Sequence, residues 1–351
     1  MRDVAVIGFT QSKSVRRERD RNETEILIPV IHELKKSVGI ETKDIDFICS
    51  GSSDYLAGQS FAFVSGLDAI GAWPPVSESH VEMDGAWALY EAWVKMQMGY
   101  ADLALVYGFG KPSMGDLPRT MAMQLDPYTV MPLWPDAISI AALQARLCLE
   151  DGICSERAMA EVAIRDRANA KANPYAQVSG DFEAKKLLAE PTLVSPLRKH
   201  DCSPISDGAT GVILAAGDRA RELCERPAWI RGLEHIVEPM DLGVRDITQS
   251  RSTQMAAEKA GVNADKIDVA EVYAPFTHQS ILVERALGLG KDVAVNPSGG
   301  ALAANPIMAT GLIRIGEAAR RIWDGSADRA VAHATSGPCL QQNLVAVLEG
   351  N

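Results

Sequence analysis

Apolar residues along this chain alternate between the spacing of helices and that of strands. Short apolar runs at 4–7, 46–49 and 103–107 predict strands. The segment from Thr24 to Val38 predicts an amphipathic helix capped by Gly39, whose apolar face holds Ile28, Ile31, Leu34 and Val38. Strands that alternate with helices in this way indicate an α/β fold with mainly parallel sheets.

The stretch from Ser79 to Gly99 predicts the end of a strand, a sharp turn at Asp84-Gly85 and then a helix. A helix N-terminus favours negative charge, so many α/β enzymes hold a nucleophile at such a turn. This stretch contains no Cys and no Ser after Ser79; it offers the carboxylates of Glu82 and Asp84 instead. The chain is therefore organised like an acyl-transfer enzyme but lacks the residue that carries the acyl group.

A long internal repeat divides the chain into two similar halves. The sequence Val38-Gly39-Ile40 with Asp44-Ile45-Asp46 is matched by Ala260-Gly261-Val262 with Lys266-Ile267-Asp268, and Gly99-Tyr100-Ala101-Asp102 is matched by Gly325-Ser326-Ala327-Asp328. Two copies with so long a period indicate a duplicated α/β unit, not a solenoid. We predict an N-terminal half of residues 1–110 with 205–225, a C-terminal half of residues 226–351, and an inserted, Pro-rich loop domain of residues 111–204 that covers a pocket.

The composition limits the kinds of partner that we expect this protein to bind. The net charge of −11 argues against nucleic acid and anionic membrane surfaces, because both require a basic face. No run reaches 18 apolar residues, and the N-terminus lacks the layout of a signal peptide, so we expect a cytoplasmic protein with no membrane span. The six Cys have no paired metal-ligand spacing and are expected to be free thiols.

Several motifs, taken together and in order, resemble those of the thiolase superfamily, and most closely its sterol-carrier and lipid-transfer branch. They are Asp201-Cys202-Ser203-Pro204 with Asp207-Gly208-Ala209, Glu271-Val272-Tyr273 with Pro275-Phe276, Asn296-Pro297-Ser298-Gly299-Gly300, Asn305-Pro306 with Gly311, and Ala332-His333 with Gly337. The resemblance covers nearly the whole chain. It implies a five-layer α/β/α/β/α fold of two similar halves, a homodimer and an acyl-CoA ligand.

The departures from the thiolase pattern concern its catalytic residues. Glu82 stands where the family has its nucleophilic Cys, Asn305 where it has a catalytic His, and Tyr273 where it has Asn or His. The second catalytic Cys falls near residues 335–337, and Cys339 is displaced from that place. Without these cysteines we expect no acyl-enzyme and no thiolysis.

A thiolase fold without the Cys, and with Tyr273 in this place, resembles the steroid side-chain-cleaving retro-aldolases of the lipid-transfer branch. This resemblance implies retro-aldol cleavage of a β-hydroxyacyl-CoA to a 17-keto steroid and propionyl-CoA. It also implies a partner subunit with an OB fold and a zinc ribbon, with no cofactor or metal bound by this chain itself. The loss of both cysteines fits a non-catalytic acyl-CoA- or lipid-binding transfer or scaffold protein equally well, whereas a hydroxymethylglutaryl-type synthase would need the missing Cys.

The catalytic candidates follow from what an aldol cleavage needs. Tyr273 is the candidate base or proton relay, which requires that its pKa be lowered from about 10 or that a neighbour assist it. Asn305 is the candidate donor to the thioester oxygen. His333 is a candidate acid for the enolate, although the repeat places it opposite Tyr107 at a strand end, where a structural role is slightly favoured.

Two further carboxylates and five further positions complete the predicted site. Glu82 or Asp84 could act as a base, and a plain N-cap role for Asp84 is equally consistent. The candidates for binding the CoA ester are Ser203, Lys111, Arg119, Gly300 and Gly337. The Met- and Trp-containing insertion suits a large apolar acyl group, or equally a core or partner interface.

Overall fold

The structure, a computed structural model, describes residues 2–262 and 266–350. Its first half begins with β1 (Val4–Gln11), α1 (Glu23–Val38), β2 (Phe47–Gly51), α2 (Asp54–Ala57), α3 (Ala62–Ile70), β3 (Ser77–Val81), α4 (Gly85–Gln97) and β4 (Leu103–Gly110). The next segment holds α5 (Leu117–Met123), α6 (Ala137–Glu150), α7 (Glu156–Asn169), α8 (Ala184–Leu188), β5 (Thr192–Val194) and β6 (Leu197–Arg198). Then follow β7 (Gly208–Ala216) and α9 (Gly217–Leu223).

The second half repeats this order of strands and helices. It contains β8 (Ala228–Val237), α10 (Arg251–Ala260), β9 (Val269–Val272), α11 (Thr277–Ala286), β10 (Ala294–Val295), α12 (Gly300–Ala303), α13 (Thr310–Trp323), β11 (Arg329–Ser336) and β12 (Gln342–Glu349). The segment between β4 and β7 has no equivalent there. The domain boundaries drawn from the sequence stay predictions.

The strands lie in the order β10-β9-β11-β12-β8-β1-β7-β4-β2-β3, five from each half, and the halves join where β1 pairs antiparallel with β8. Helices α4 and α13 pack between the two groups of strands, in a core to which both groups contribute. Helices α1 and α3 cover the outer face of the first half, and α10 and α11 cover that of the second. The predicted α/β fold with its five layers is therefore confirmed.

The repeat seen in the sequence is a repeat of hydrogen bonds. Gly39 and Gly261 end α1 and α10 in the same left-handed conformation, at φ angles of 74° and 75°. Asp46 Oδ2 accepts hydrogen bonds from the backbone N–H groups of residues 102 and 103, both at 2.9 Å. Asp268 Oδ2 accepts the equivalent bonds from residues 328 and 329 at 2.9 and 3.0 Å. Each half thus uses one carboxylate to close the turn into an inner strand.

The sequence placed the buried face of α1 slightly wrongly. Ile28, predicted to face the core, is 47% exposed. The buried stripe runs instead through Leu27, Val30, Ile31 and Leu34, because Ile28 lies about 100° around the helix from Leu27. The helix itself begins one residue earlier than predicted, at Glu23, where Asn22 forms a capping box with Glu25.

Three further observations concern the described residues alone. Among them, no helix combines the length and apolar character needed to cross a membrane. Residues 2–262 and 266–350 also contain no group of three or more His, Cys, Asp or Glu side chains arranged to hold a metal ion. All six cysteines are free.

Candidate active site

A cavity of about 300 Å³ lies at the ends of the inner strands, under the segment that connects β4 to β7. Most of its lining is apolar, with one wall formed by α5 and α6 and the opposite wall by the loops after β9 and β11. Its polar lining consists of Asp84, Gln124, Asp136, Ser203, Tyr273, Gln279, Asn305, Thr335 and Ser336, together with the thiols of Cys202 and Cys339.

Asp84 lies at the base of the cavity, where the N-termini of the two central helices meet. Its Oδ1 accepts hydrogen bonds from Ala86 N at 2.9 Å and from Leu312 N at 3.1 Å, and its Oδ2 accepts one from Gly311 N at 2.9 Å. One carboxylate therefore caps α4 of the first half and α13 of the second. Burial raises the pKa of Asp84, and the three N–H donors and Arg314 oppose that rise.

The close approach of these two helices explains a glycine in each of them. A Cβ on Gly311 would lie 2.5 Å from Asp84 Oδ1, and a Cβ on Gly85 would lie 2.9 Å from the side chain of Leu312. Because both distances are shorter than side-chain contacts normally allow, the shared cap requires the glycines that the sequence provides.

Tyr273 follows β9 and is only 5% exposed. Its backbone N–H donates to His333 O at 3.1 Å, which fixes the chain at the point where the side chain enters the cavity. Burial, and then the negative charge of Asp84, raise the pKa of the Tyr273 hydroxyl above its ordinary value; hydrogen bonds with Thr310 and Asn305 act against this. Of the two possibilities that the sequence left open for Tyr273, a lowered pKa or the help of a neighbour, the raised pKa favours the second, and the protonated hydroxyl can donate.

The Asn305 amide is held in one orientation. Its Oδ1 accepts a hydrogen bond from Thr310 Oγ1 at 2.9 Å, and its Nδ2 donates to Ser203 Oγ at 2.9 Å. The Asn305 backbone N–H donates to Ser206 Oγ at 2.9 Å. Since the amide group has two N–H bonds and the Ser203 hydroxyl has one, each of these side chains retains a donor for a ligand in the cavity.

The segment after His333 forms another part of the lining. Thr335 donates through Oγ1 to Gln342 O at 3.1 Å, and Gly337 turns the chain with a φ angle of 74°. A Cβ at Gly337 would lie 2.4 Å from Gln341 Oε1, so the turn requires glycine there. Cys339 also lines the cavity, but burial raises the pKa of its thiol to about 12, which disfavours the nucleophilic thiolate.

Cys202, in the segment that leads into β7, is in a similar state. Burial and the charge of Asp201 raise the pKa of the Cys202 thiol to about 12. Its Sγ lies 3.6 Å from Arg198 O, which it faces as a hydrogen-bond donor. Neither thiol of the lining is prepared for nucleophilic attack at neutral pH.

His333 does not belong to the site. Its ring is fully buried outside the cavity lining, with Nε2 at 2.9 Å from Asn343 Oδ1 and at 3.4 Å from Thr253 Oγ1. Burial lowers its pKa to about 4, so the ring is neutral at pH 7. The position of His333 outside the lining does not support a role as the acid for an enolate, and it agrees with the structural role that the sequence favoured, which its repeat partner Tyr107 shares.

Four other candidates also lie away from the cavity lining. Lys111 is buried, and its Nζ donates to the backbone carbonyl of Arg21. Gly300 begins α12, and a Cβ at this position would lie 2.4 Å from Asn296 Nδ2. Arg119 is exposed on α5, and Glu82 is exposed and accepts a hydrogen bond from Asp54 N at 2.7 Å. Glu82 lines a neighbouring hollow of about 250 Å³ that shares lining residues with the main cavity.

Of the predicted residues, the structure brings together Asp84, Ser203, Tyr273, Asn305 and Gly337. Sequence reasoning placed the family's second cysteine near residues 335–337 but did not name Thr335 and Ser336 as lining residues, although their place at the end of an inner strand was a usable signal. It also missed Gln279, in the first turn of α11, for which the sequence carries no such signal.

A buried ion pair supports the floor of the cavity. Arg314 Nη1 of α13 lies 2.7 Å from Glu271 Oε2 of β9, and both side chains are almost completely buried. Ser298 Oγ accepts from Arg314 at 2.6 Å and donates to Glu271 at 2.7 Å. The pair ties the central helix to the strand that precedes Tyr273, and the positive charge of Arg314 opposes, without cancelling, the rise in the pKa of Asp84 and of Tyr273.

Comparison with known proteins agrees with this fold. No protein-family model matches the chain. An acetyl-CoA acetyltransferase of Methanothermobacter thermautotrophicus is 28% identical over 92% of this chain and 91% of its own. Human sterol carrier protein 2 is 24% identical over 98% of this chain and 70% of its own.

Two solved structures superpose on this chain over almost the full length of both proteins. An Ltp2–ChsH2(DUF35) aldolase superposes with a TM-score of 0.83 at 18% identity over 99% of this chain and 98% of its own. Human mitochondrial 3-ketoacyl-CoA thiolase superposes with a TM-score of 0.77 at 17% identity over 100% and 99%. The fold is thus the thiolase fold. In sequence the chain resembles thiolase-type enzymes and sterol carrier protein 2, and in fold it resembles an aldolase and a thiolase, as the sequence motifs indicated.

Proposed function

We propose that this protein cleaves a carbon–carbon bond of a β-hydroxyacyl-CoA by a retro-aldol reaction, without an acyl-enzyme. The observation that carries this proposal is the replacement of nucleophiles by hydrogen-bonding groups around one apolar cavity. Asp84, Tyr273, Asn305 and Ser203 line it, and both of its thiols are held protonated. Such a set can stabilise an enolate and move a proton, but it offers no group prepared to carry an acyl chain.

The reaction can be written with these groups. The β-hydroxyl loses its proton, the bond between Cα and Cβ breaks, and its electron pair passes to the thioester as an enolate. The former Cβ leaves as a ketone. Asn305 and Ser203 donate to the enolate oxygen, since each retains a free donor.

The proton follows a path through Tyr273. Tyr273 donates its own proton to the Asp84 carboxylate as it accepts the proton of the β-hydroxyl, and burial favours proton uptake by Asp84. Return of this proton to Cα yields the shorter acyl-CoA, so atoms and electrons balance without a co-reactant. No metal or further cofactor of this chain takes part, as the family resemblance implies.

The substrate that suits the cavity has a large apolar acyl group. Leu117, Met121, Leu125, Ile138 and Ile140 form much of one wall. We propose a steroid side-chain ester that yields a keto steroid and propionyl-CoA or a similarly short acyl-CoA. This choice is supported by the likeness of the fold to an aldolase and of the sequence to sterol carrier protein 2.

We further propose that the protein works in the cytoplasm as a homodimer bound to a partner subunit with an OB fold and a zinc ribbon. Strand β3 supports the homodimer, because it lies at the edge of the sheet and pairs only with β2 among the described residues. A second copy could continue the sheet there across a two-fold axis. The partner subunit is supported by the likeness of the fold to an Ltp2–ChsH2(DUF35) aldolase.

The alternative is an acyl-CoA-binding transfer or scaffold protein without catalysis. One observation favours it: the Asp84 carboxylate already accepts three backbone hydrogen bonds, as a purely structural cap would. The two proposals differ in whether bound ester is converted.

The test is incubation of the purified chain, alone and with candidate partner subunits, with a β-hydroxyacyl-CoA whose β-carbon is a tertiary alcohol. We expect a ketone and a shorter acyl-CoA, detected by mass spectrometry, and no product from the ester that lacks the β-hydroxyl. Tight binding without product in every combination of partners would establish the transfer or scaffold role instead.

A further inference from the structure

A buried amide in the cavity wall has no role in the reaction described above. Gln279 lies in the first turn of α11, is only 3% exposed and lines the cavity together with Tyr273 and Phe276. Gln279 belongs to a polar cluster between α11 and α6. The other members are Gln144, His278 and the backbone carbonyl of Ile247.

The hydrogen bonds of this cluster determine which way each amide points. A backbone carbonyl can only accept, so Gln144 must direct its Nε2 to Ile247 O, at 2.8 Å. Gln144 Oε1 is then the acceptor for Gln279 Nε2 at 2.9 Å and for His278 Nε2 at 3.1 Å. Gln279 Oε1 is consequently the atom left over. No described residue donates a hydrogen bond to it.

We propose that Gln279 Oε1 is a fixed acceptor for an O–H or N–H group of the bound thioester, and that it selects ligands carrying such a donor. The proposal rests on the proposed function only in taking a CoA thioester as the ligand. A neutral amide carbonyl does not take up a proton at neutral pH, so Gln279 positions and selects the ligand and leaves the chemistry to Tyr273 and Asp84.

Selectivity follows from the surroundings of the acceptor. The cavity is mainly apolar, and a ligand without a donor would cover the Gln279 carbonyl and leave it unpaired, whereas a ligand with a donor would satisfy it. We expect a preference of roughly 10- to 100-fold for the ligand with the donor, because a single buried carbonyl left without a partner carries a desolvation penalty of that order.

The donor has two chemically equivalent sources in a thioester of coenzyme A. One is a hydroxyl of the acyl group, apart from the β-hydroxyl that reacts. The other is an amide N–H or the hydroxyl of the pantetheine arm, which every CoA ester and free CoA share. Binding measurements can separate these sources.

The experiment measures dissociation constants by calorimetry for wild type, Gln279→Met and Gln144→Met. The probes are free CoA, 3-hydroxydecanoyl-CoA, and 3-hydroxydecanoyl-CoA esters with one more hydroxyl at successive carbons from C5 to C10. Methionine at 279 keeps the length of the side chain and removes its acceptor. Gln144→Met leaves that acceptor in place and frees its orientation, so we expect a smaller loss in the same direction.

If the donor is an acyl hydroxyl, one of the esters with an extra hydroxyl should bind wild type more tightly than 3-hydroxydecanoyl-CoA does. Gln279→Met should then abolish this preference. Pantetheine as the source predicts that Gln279→Met weakens free CoA and every ester by the same factor. Unchanged dissociation constants in Gln279→Met for all probes would overturn the proposal.

A structure of wild-type protein with a bound ester provides a test that does not depend on whether the variants fold. We expect an O–H or N–H of the ligand within about 3.2 Å of Gln279 Oε1, and a ligand that places only carbon against this atom would contradict the proposal. Because binding and not turnover is measured, discrimination that is retained by a protein without cleavage activity would refute the proposed function and leave this inference standing.

Discussion

The two halves of the molecule have the same scaffold and differ where their central helices begin. Asp46 and Asp268 close equivalent turns with equivalent pairs of backbone hydrogen bonds. In contrast, α4 of the first half is capped by its own Asp84, whereas Ala309 at the N-cap position of α13 supplies no side-chain hydrogen bond. Asp84 of the first half therefore caps the central helices of both halves.

This difference shows how a duplicated fold can build one asymmetric site. The first half contributes a negative charge through Asp84, and the second half contributes neutral donors through Tyr273 and Asn305. Residues at equivalent positions away from the cavity, such as Tyr107 and His333, remain buried structural side chains.

The largest expected effect is on turnover, in Tyr273→Phe. Loss of the hydroxyl should lower kcat/KM for β-hydroxyacyl-CoA cleavage by about 10²-fold or more, because the proton path to Asp84 is broken. The matched control is Tyr107→Phe, which removes a hydroxyl that is also buried but lies outside the cavity lining. Equal losses in the two variants would show that Tyr273 acts only through packing.

Asp84→Ala should destabilise both halves at once. It removes three hydrogen bonds from two buried helix N-termini, so we expect a loss of about 2–4 kcal/mol in the free energy of unfolding, measured by denaturant titration. Asn22→Ala, which removes the exposed cap of α1, is the matched control and should cost about 1 kcal/mol. Similar costs for the two variants would contradict the shared cap.

His333→Gln should make the protein less sensitive to acid. The folded-state pKa of His333 is lowered from 6.5 to about 4, so between these values the unfolded state binds more protons. Its contribution is present above pH 6.5 and is lost as the pH falls toward 4, by up to about 3 kcal/mol.

The measurement for His333→Gln is the free energy of unfolding at several pH values from 7 to 4. The variant should lose less stability than wild type over this range, and its turnover at pH 7 should be retained. A loss of turnover in a stable variant would restore His333 to the catalytic candidates.

The smallest expected effect compares the repeated turns directly. Asp46→Ala and Asp268→Ala each remove two backbone hydrogen bonds at an exposed position, so each should cost about 1 kcal/mol. Denaturant titrations of the two variants should agree within about 0.5 kcal/mol. A clear inequality would mean that the halves do not contribute equally to the stability of the fold.

The sequence was sufficient for the fold because its signals are local and repeated. The turn around Asp46 and Asp268, and the glycine caps at 39 and 261, depend on neighbouring residues and leave a pattern in the chain. Tyr273, Asn305 and Ser203, which the family motifs indicated, line one cavity.

The chemistry of the site depends on contacts between distant segments, and these leave no such pattern. In its second capping role, Asp84 accepts hydrogen bonds from Gly311 and Leu312, which lie 227 and 228 positions further along the chain. The raised pKa of Tyr273 depends on burial and on Asp84, while the orientation of Gln279 depends on α6 and on the carbonyl of Ile247. Lys111 was misplaced for the same reason, since its partner is a backbone carbonyl 90 residues away.

The central claim is cleavage without an acyl-enzyme, and one measurement tests it most directly. The protein is incubated with a β-hydroxyacyl-CoA in the complete absence of free CoA, and ketone, short acyl-CoA and the intact mass of the protein are recorded together. We predict ketone and short acyl-CoA in equal amounts, with no acyl adduct on the chain. Cleavage that requires added CoA, or a protein mass increased by an acyl group during turnover, would contradict the account.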